Sequence, residues 1–171
     1  AKTENLALLV MGDHRCATTH VDLILRAKEK EIPSEVIHNA SVMNAVGITG
    51  LQLYKFGKTT SIPFEEGNPI ETPYDILKEN LKINSHTLML LDLRPLENKF
   101  MTISEAIRYL LKIELKRNEK VFTDNMFVVG VAKLGSKDQK IKYGKARDVM
   151  NFNFGNPPYC LIVPGKLHFM E

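Results

Sequence analysis

Cysteine is scarce in this sequence of 171 residues: Cys16 and Cys160 stand near opposite ends, with no CxxC and no Cys/His pair at zinc-finger spacing. A disulfide framework and a structural zinc are therefore not expected, and the cytoplasm is the expected compartment. Long apolar runs are missing as well. The longest, residues 6–11 and 88–91, fall far short of the roughly 20 residues that cross a bilayer, and no basic-apolar-small leader opens the sequence, so no membrane partner is expected. Net charge is small: 23 Lys and Arg against 20 Asp and Glu leave +3, dispersed along the chain, which argues against a nucleic-acid footprint. No P-loop, GxGxxG, HExxH or GxSxG pattern occurs, nor any internal repeat or low-complexity tract.

What is present is a globular composition. Hydrophobic residues make up 44% and charged residues 25%, enough for a packed core and incompatible with wholesale disorder. The length suits one domain or two small ones. Apolar periodicity predicts strands over residues 6–11, 35–38, 59–64, 86–91, 126–134 and 159–163, with a short one near Ile141. Helices are expected over 19–30 and 42–46, the latter capped by Ser41, over the residues after Thr72 as cap to about 82, over 103–117, and over 146–150. The 103–117 helix carries a capping box at Thr102 and Glu105. Alternating strands and helices indicate an α/β architecture, and the punctuation near Gly57 and Lys58 divides it into lobes 1–57 and 58–171.

Ligands in such sheets sit beyond the carboxyl ends of strands. Four segments follow predicted strands: 12–18, 39–42, 91–92 and 134–135. Asp13 is placed to accept hydrogen bonds from a ligand, or to cap the next helix. Ser41 at a helix start reads either as a plain N-cap or as a polar contact on a pocket floor. His14 and Cys16 lack the pattern of a thiol nucleophile. His86 reads as a satisfied core histidine, and Asp92 as a base or a loop cap. The residues alone lead to an α/β protein with a small-molecule cleft.

Longer stretches of text say more. Gly12-Asp13 with Ala17-Thr18-Thr19-His20, the run Val36-Ile37-His38-Asn39-Ala40-Ser41-Val42-Met43-Asn44-Ala45-Val46-Gly47, the run from Gly50 through Gly57, His86-Thr87-Leu88 with Leu91-Asp92, and Pro164-Gly165-Lys166-Leu167-His168 closely resemble the diphthine synthase family of the tetrapyrrole-methylase-like superfamily. The resemblance runs along essentially all of the chain. The turn at 68–74 and the short connection over 92–101 resemble archaeal members. The resemblance implies two α/β lobes with S-adenosylmethionine in a cleft between them. It also implies methyl transfer to the amine of a 2-(3-amino-3-carboxypropyl)histidine on translation elongation factor 2, giving diphthine and S-adenosylhomocysteine; archaeal-type members make the trimethylated product. A homodimer is the family expectation, with no metal.

Carried over by motif, the cofactor positions are Asp13, Cys16, Ser41, Val42, Leu91, Leu134 and Tyr159. No catalytic residue is assigned, although Asp13 or Asp92 could help to remove the amine proton. His14 stands where members usually have proline, Cys16 where Gly or Val is common, and Tyr159 where histidine is frequent. The family's opening strand with its Gly-rich turn, and its C-terminal tail, find no counterpart, so the first lobe is expected to be incomplete. The competing expectation is a non-catalytic α/β binding or dimerisation module that keeps the fold without the cofactor.

Overall fold

The computed structural model describes residues 4–171 and divides into two compact units, Ala1–Val46 and Gly47–Glu171. The first contains helix α1 (Val21–Glu29) and the short α2 (Val42–Ala45), joined by non-regular segments. Asp22 in the first turn of α1 pairs with Arg26 at 2.7 Å, and Lys28 follows in the last turn, an arrangement that suits the helix dipole. Two expected strands are absent: no strand forms among the described residues of this unit. Residues 6–11 and 35–38 enter no backbone ladder among the described residues. A uniformly apolar segment also needs cover on both faces to become a parallel strand. Leu9 is 93% exposed and Met11 fully so.

The second unit is mixed α/β. Its elements are β1 (Thr60–Ile62), α3 (Thr72–Lys82), β2 (Thr87–Leu91), β3 (Leu93–Arg94), β4 (Lys99–Phe100), α4 (Ile103–Arg117), β5 (Phe127–Ala132), β6 (Lys140–Lys145), α5 (Ala146–Val149) and β7 (Tyr159–Val163). Five strands form a sheet in the order β1-β2-β7-β5-β6, and β3 pairs with β4 in a separate hairpin. Only β1 and β2 run parallel; the ladders of β7 with β2 and with β5, and of β5 with β6, are antiparallel. β6 is an outer edge, and Lys140, Lys142 and Lys145 guard it against adventitious strand pairing.

Helix α4 follows its sequence signature closely. Thr102 Oγ1 accepts from the Glu105 amide, while the Glu105 carboxylate accepts from the Thr102 amide at 2.7 Å. Its apolar stripe, Ile103, Ala106, Ile107, Leu110 and Ile113, is buried against the sheet core that includes Met89, Leu161 and Val163. Helix α3 starts one residue earlier than expected: Thr72 is the first helical residue, and Glu71 occupies the N-cap without a side-chain cap. The Glu71 carboxylate instead pairs with Lys116 at 2.7 Å and Arg117 at 3.3 Å, at the basic end of α4.

The compact units divide ahead of the expected 57/58 point because the backbone before Lys58 is bonded into the second unit. The His86 amide donates to the Lys55 carbonyl and the Gly57 amide donates to the His86 carbonyl, each at 2.9 Å. Beside this crossing, Asn80 of α3 is buried and acts as a clamp. Its Nδ2 donates to the Lys58 carbonyl at 2.8 Å and to Thr87 Oγ1 at 3.0 Å, and its Oδ1 accepts from the Lys58 amide at 3.0 Å. A Cβ on Gly57 would stand 2.2 Å from Asn80 Oδ1, so glycine is required for this approach.

Two carboxylates close the second unit's loops. Glu114 accepts from Tyr74 Oη at 2.7 Å and from the amides of Lys120, Val121 and Phe122 at 2.6 to 2.8 Å. The Glu171 side chain accepts from His86 Nε2 at 2.8 Å, from the amides of Gln52 and His168 at 2.9 and 2.7 Å, and from Lys55 Nζ at 2.5 Å. Burial pushes both carboxyls up, but these donors outweigh it and hold both below the usual glutamate value of 4.5.

Two outcomes are expected. Asn80→Ala removes three hydrogen bonds of a buried side chain, one of them fully buried, and should cost about 3 kcal/mol of stability, read from urea unfolding of the variant beside the parent chain. Because Glu114 and Glu171 bind protons less readily folded than unfolded, their stabilisation is complete above the usual value of 4.5 and is lost as pH falls below it. The urea midpoint should drop on acidification through that range, and the drop should shrink in a Glu114→Gln, Glu171→Gln double variant.

Candidate cofactor-binding residues

The sheet topology gathers three of the seven expected positions. Leu91 closes β2, Leu134 follows β5, and Tyr159 opens β7. Since β7 is antiparallel to both neighbours, its first residue lies at their carboxyl ends: Tyr159 is paired with Ala132, and Cys160 with Leu90. All three therefore share one end of the sheet. Lys133 and Gly135, with φ of 50° and 82°, turn the backbone sharply on either side of Leu134, and the Lys133 amide donates to the Pro158 carbonyl at 2.9 Å. Leu91 is buried, while Leu134 and Tyr159 are half-buried. The Tyr159 hydroxyl donates to the Gly155 carbonyl, and burial raises its pKa. Next to it, the Cys160 thiol is buried and pushed up to about 12, which makes it unreactive.

In the first unit, Asp13 connects the loop 13–16 to the segment 38–39. Its Oδ1 accepts from the Arg15 amide at 2.8 Å; its Oδ2 accepts from the Asn39 amide at 3.2 Å and meets His38 Nδ1 at 2.9 Å. The carboxyl is held well below the usual range, first by the Arg15 amide and next by His38. Cys16 is half-buried and its amide donates to the Asp13 carbonyl at 3.2 Å. Ser41 caps α2: its Oγ accepts from the Met43 amide at 3.1 Å, and Asn44 Oδ1 accepts from the Ser41 amide at 2.8 Å. Val42 is the first residue of that helix.

These bonds bear on the open alternatives. Ser41 performs the N-cap role. Asp92 performs the loop-cap role, its two oxygens accepting from the amides of Leu93 at 2.9 Å and Phe64 at 3.1 Å. His86 is a satisfied core residue: it is fully buried, with the Gly165 amide donating to Nδ1 at 3.0 Å and Nε2 donating to Glu171. Asp13, engaged by several donors and held deprotonated, is a weak proton acceptor. His38, expected with Asn39, Ala40 and Ser41 to line a pocket floor, is Asp13's partner. No signal in the sequence joined the two.

The second unit is thus a mixed α/β fold with Leu91, Leu134 and Tyr159 at one end of its sheet, and comparison with known proteins gives its class. No family model matches the chain. The chain is 50% identical over 172 residues to a diphthine synthase of Methanococcus maripaludis strain C6, an alignment covering all of this chain and 68% of that protein. It is 51% identical over 174 residues to a diphthine synthase of Methanocaldococcus jannaschii, again covering all of this chain and 68% of the relative. Its fold matches a crystal structure from Entamoeba histolytica with a TM-score of 0.88 at 40% identity, over 93% of this chain and 65% of that one. A crystal structure of diphthine synthase matches with a TM-score of 0.80 at 34% identity, over 93% of this chain and 59% of that one. The chain belongs to the diphthine synthase family, the S-adenosylmethionine-dependent methyltransferases of diphthamide biosynthesis. It spans about two thirds of the length of the curated relatives it matches.

If the Asp13 carboxylate is what ties the two segments together, Asp13→Ala should free the Arg15 and Asn39 amides. Hydrogen exchange at those two amides should accelerate, while the amides of β2 and β7 keep their protection.

Proposed function

We propose that this chain binds S-adenosylmethionine and methylates the amino group of the 2-(3-amino-3-carboxypropyl)histidine of translation elongation factor 2, acting in the cytoplasm as a homodimer. The observation that carries the reading is identity of about 50% along the whole chain to curated diphthine synthases. We assign the cofactor contacts to Asp13, Cys16, Ser41, Val42, Leu91, Leu134 and Tyr159. Their chemistry fits the cofactor. A carboxylate held deprotonated suits the cofactor's hydroxyl and ammonium donors. Half-buried Val42 and Leu134 offer apolar surface of the kind an adenine needs. Among the described residues no helix is long and apolar enough to cross a membrane.

When bound, the cofactor supplies a sulfonium-activated methyl group, so little side-chain chemistry is required of the protein. The residues named above hold the donor, and their task is to fix it in line with a neutral amine while limiting water. Held by these residues, the cofactor would supply its methyl group to the amine nitrogen and would leave as S-adenosylhomocysteine, its sulfur keeping the electron pair of the carbon–sulfur bond. The amine proton leaves to solvent or to a neighbouring base.

Isothermal titration with S-adenosylmethionine, followed by intact-mass measurement of elongation factor carrying the histidine adduct, tests the reading. Saturable binding with stepwise methyl addition is the expected outcome, weakened by Asp13→Ala. Absence of binding at millimolar cofactor would instead favour the non-catalytic module, and sedimentation velocity tests the dimer.

A further inference from the structure

We propose that Asp13, His14 and His38 form a binding site for a divalent metal ion of the zinc and nickel class. The inference rests on geometry within the first unit, and because Asp13 is also assigned a cofactor contact, the ion and the cofactor are alternative occupants of its carboxylate. One ligand atom from each of the three residues lies within 4.8 Å of the other two. His38 Nδ1 stands 2.9 Å from Asp13 Oδ2, and His14 Nδ1 stands 3.7 Å from Asp13 Oδ1. Nitrogen and oxygen ligands at their usual 2.0 to 2.2 Å from a tetrahedral ion sit roughly 3.4 Å from one another, so these atoms need to move only a little to share an ion. Two imidazoles with one carboxylate form a donor set suited to zinc, nickel or cobalt and poorly suited to calcium or magnesium.

The surroundings support the same use. Asp13 is buried, and the Arg15 and Asn39 amides orient its two oxygens, the kind of outer hydrogen bonding that fixes a ligating carboxylate. The His14 side chain is 14% exposed and that of His38 67%, so one imidazole is held by the protein while the other leaves an approach for the ion and its remaining water ligands. Two groups oppose binding. His38 Nδ1 faces the acceptor-only Asp13 carboxylate at 2.9 Å and so carries its ring proton there, which must pass to Nε2 before Nδ1 can ligate. Arg15 Nε donates to His14 Nε2 at 3.3 Å, which places the ring proton of a neutral His14 on Nδ1, the atom that faces Asp13. Ligation by Nδ1 needs the other tautomer, and exposed Arg15 must release the ring for it to form. Arg15 thus tunes the site, and its removal favours the ion.

Titration of chelator-stripped chain with zinc chloride, followed by calorimetry, reads the stoichiometry. Cobalt substitution reads the donor set from its visible absorption. One equivalent is expected. Affinity should fall by about tenfold or more in His14→Pro and in His38→Gln, the latter retaining an amide donor toward Asp13 so that the loop keeps its fold, as circular dichroism checks. Arg15→Ala should bind more tightly than the parent. No saturable uptake, affinity unchanged in both histidine variants, or uptake abolished by Cys16→Ser or His20→Ala while the histidine variants still bind, would each overturn the proposal.

Discussion

The pair of antiparallel ladders on β7 is the constraint on which the second unit depends. Leu90 with Cys160 on one side and Ala132 with Tyr159 on the other fix which ends of β2 and β5 lie together, and so decide what can meet beyond them. Slipping either ladder by one residue would turn every β7 side chain to the opposite face. Leu161, Ile162 and Val163 are all fully buried, so neither face tolerates the exchange. The same registration that closes the core thus positions Leu91, Leu134 and Tyr159 at one sheet end.

Much of this was legible in the sequence where local chemistry and global packing agree. The Thr102 and Glu105 box starts α4 as read, and 159–163 is the strand that its apolar run predicts. The misses are instructive. The 6–11 run has strand composition, but a strand is a relation between segments, and the described residues of the first unit supply no partner. The edge strand β6 alternates lysine with Ile141 and Tyr143, so it announced itself only as a short strand near its middle. Glu71 displaced Thr72 from the cap because the basic end of α4, distant in sequence, holds the Glu71 carboxylate.

The candidate site divides along the same line. The strand exits at 91–92 and 134–135 were recognisable because an apolar run there meets Asp or Gly, whereas 12–18 and 39–42, chosen on the same pattern, follow no strand among the described residues. Partnerships were not. Asp13 and His38 are joined only in space, and neither residue's neighbours in sequence betray the other. That pairing moves Asp13 from a candidate base toward a positioning carboxylate, since a group supplied with several donors gives up little by staying ionised.

The place of β7 also has a consequence for the chain's synthesis. β2 and β5 become neighbours of a common strand only after residues 159–163 exist, so a growing polypeptide emerging from the ribosome carries both with an open side until nearly all of the second unit has been made. Non-local pairing of this kind is slow and leaves apolar strands exposed while it waits. Such a topology makes its demand while the chain is being made, when β2 and β5 wait for the strand that joins them.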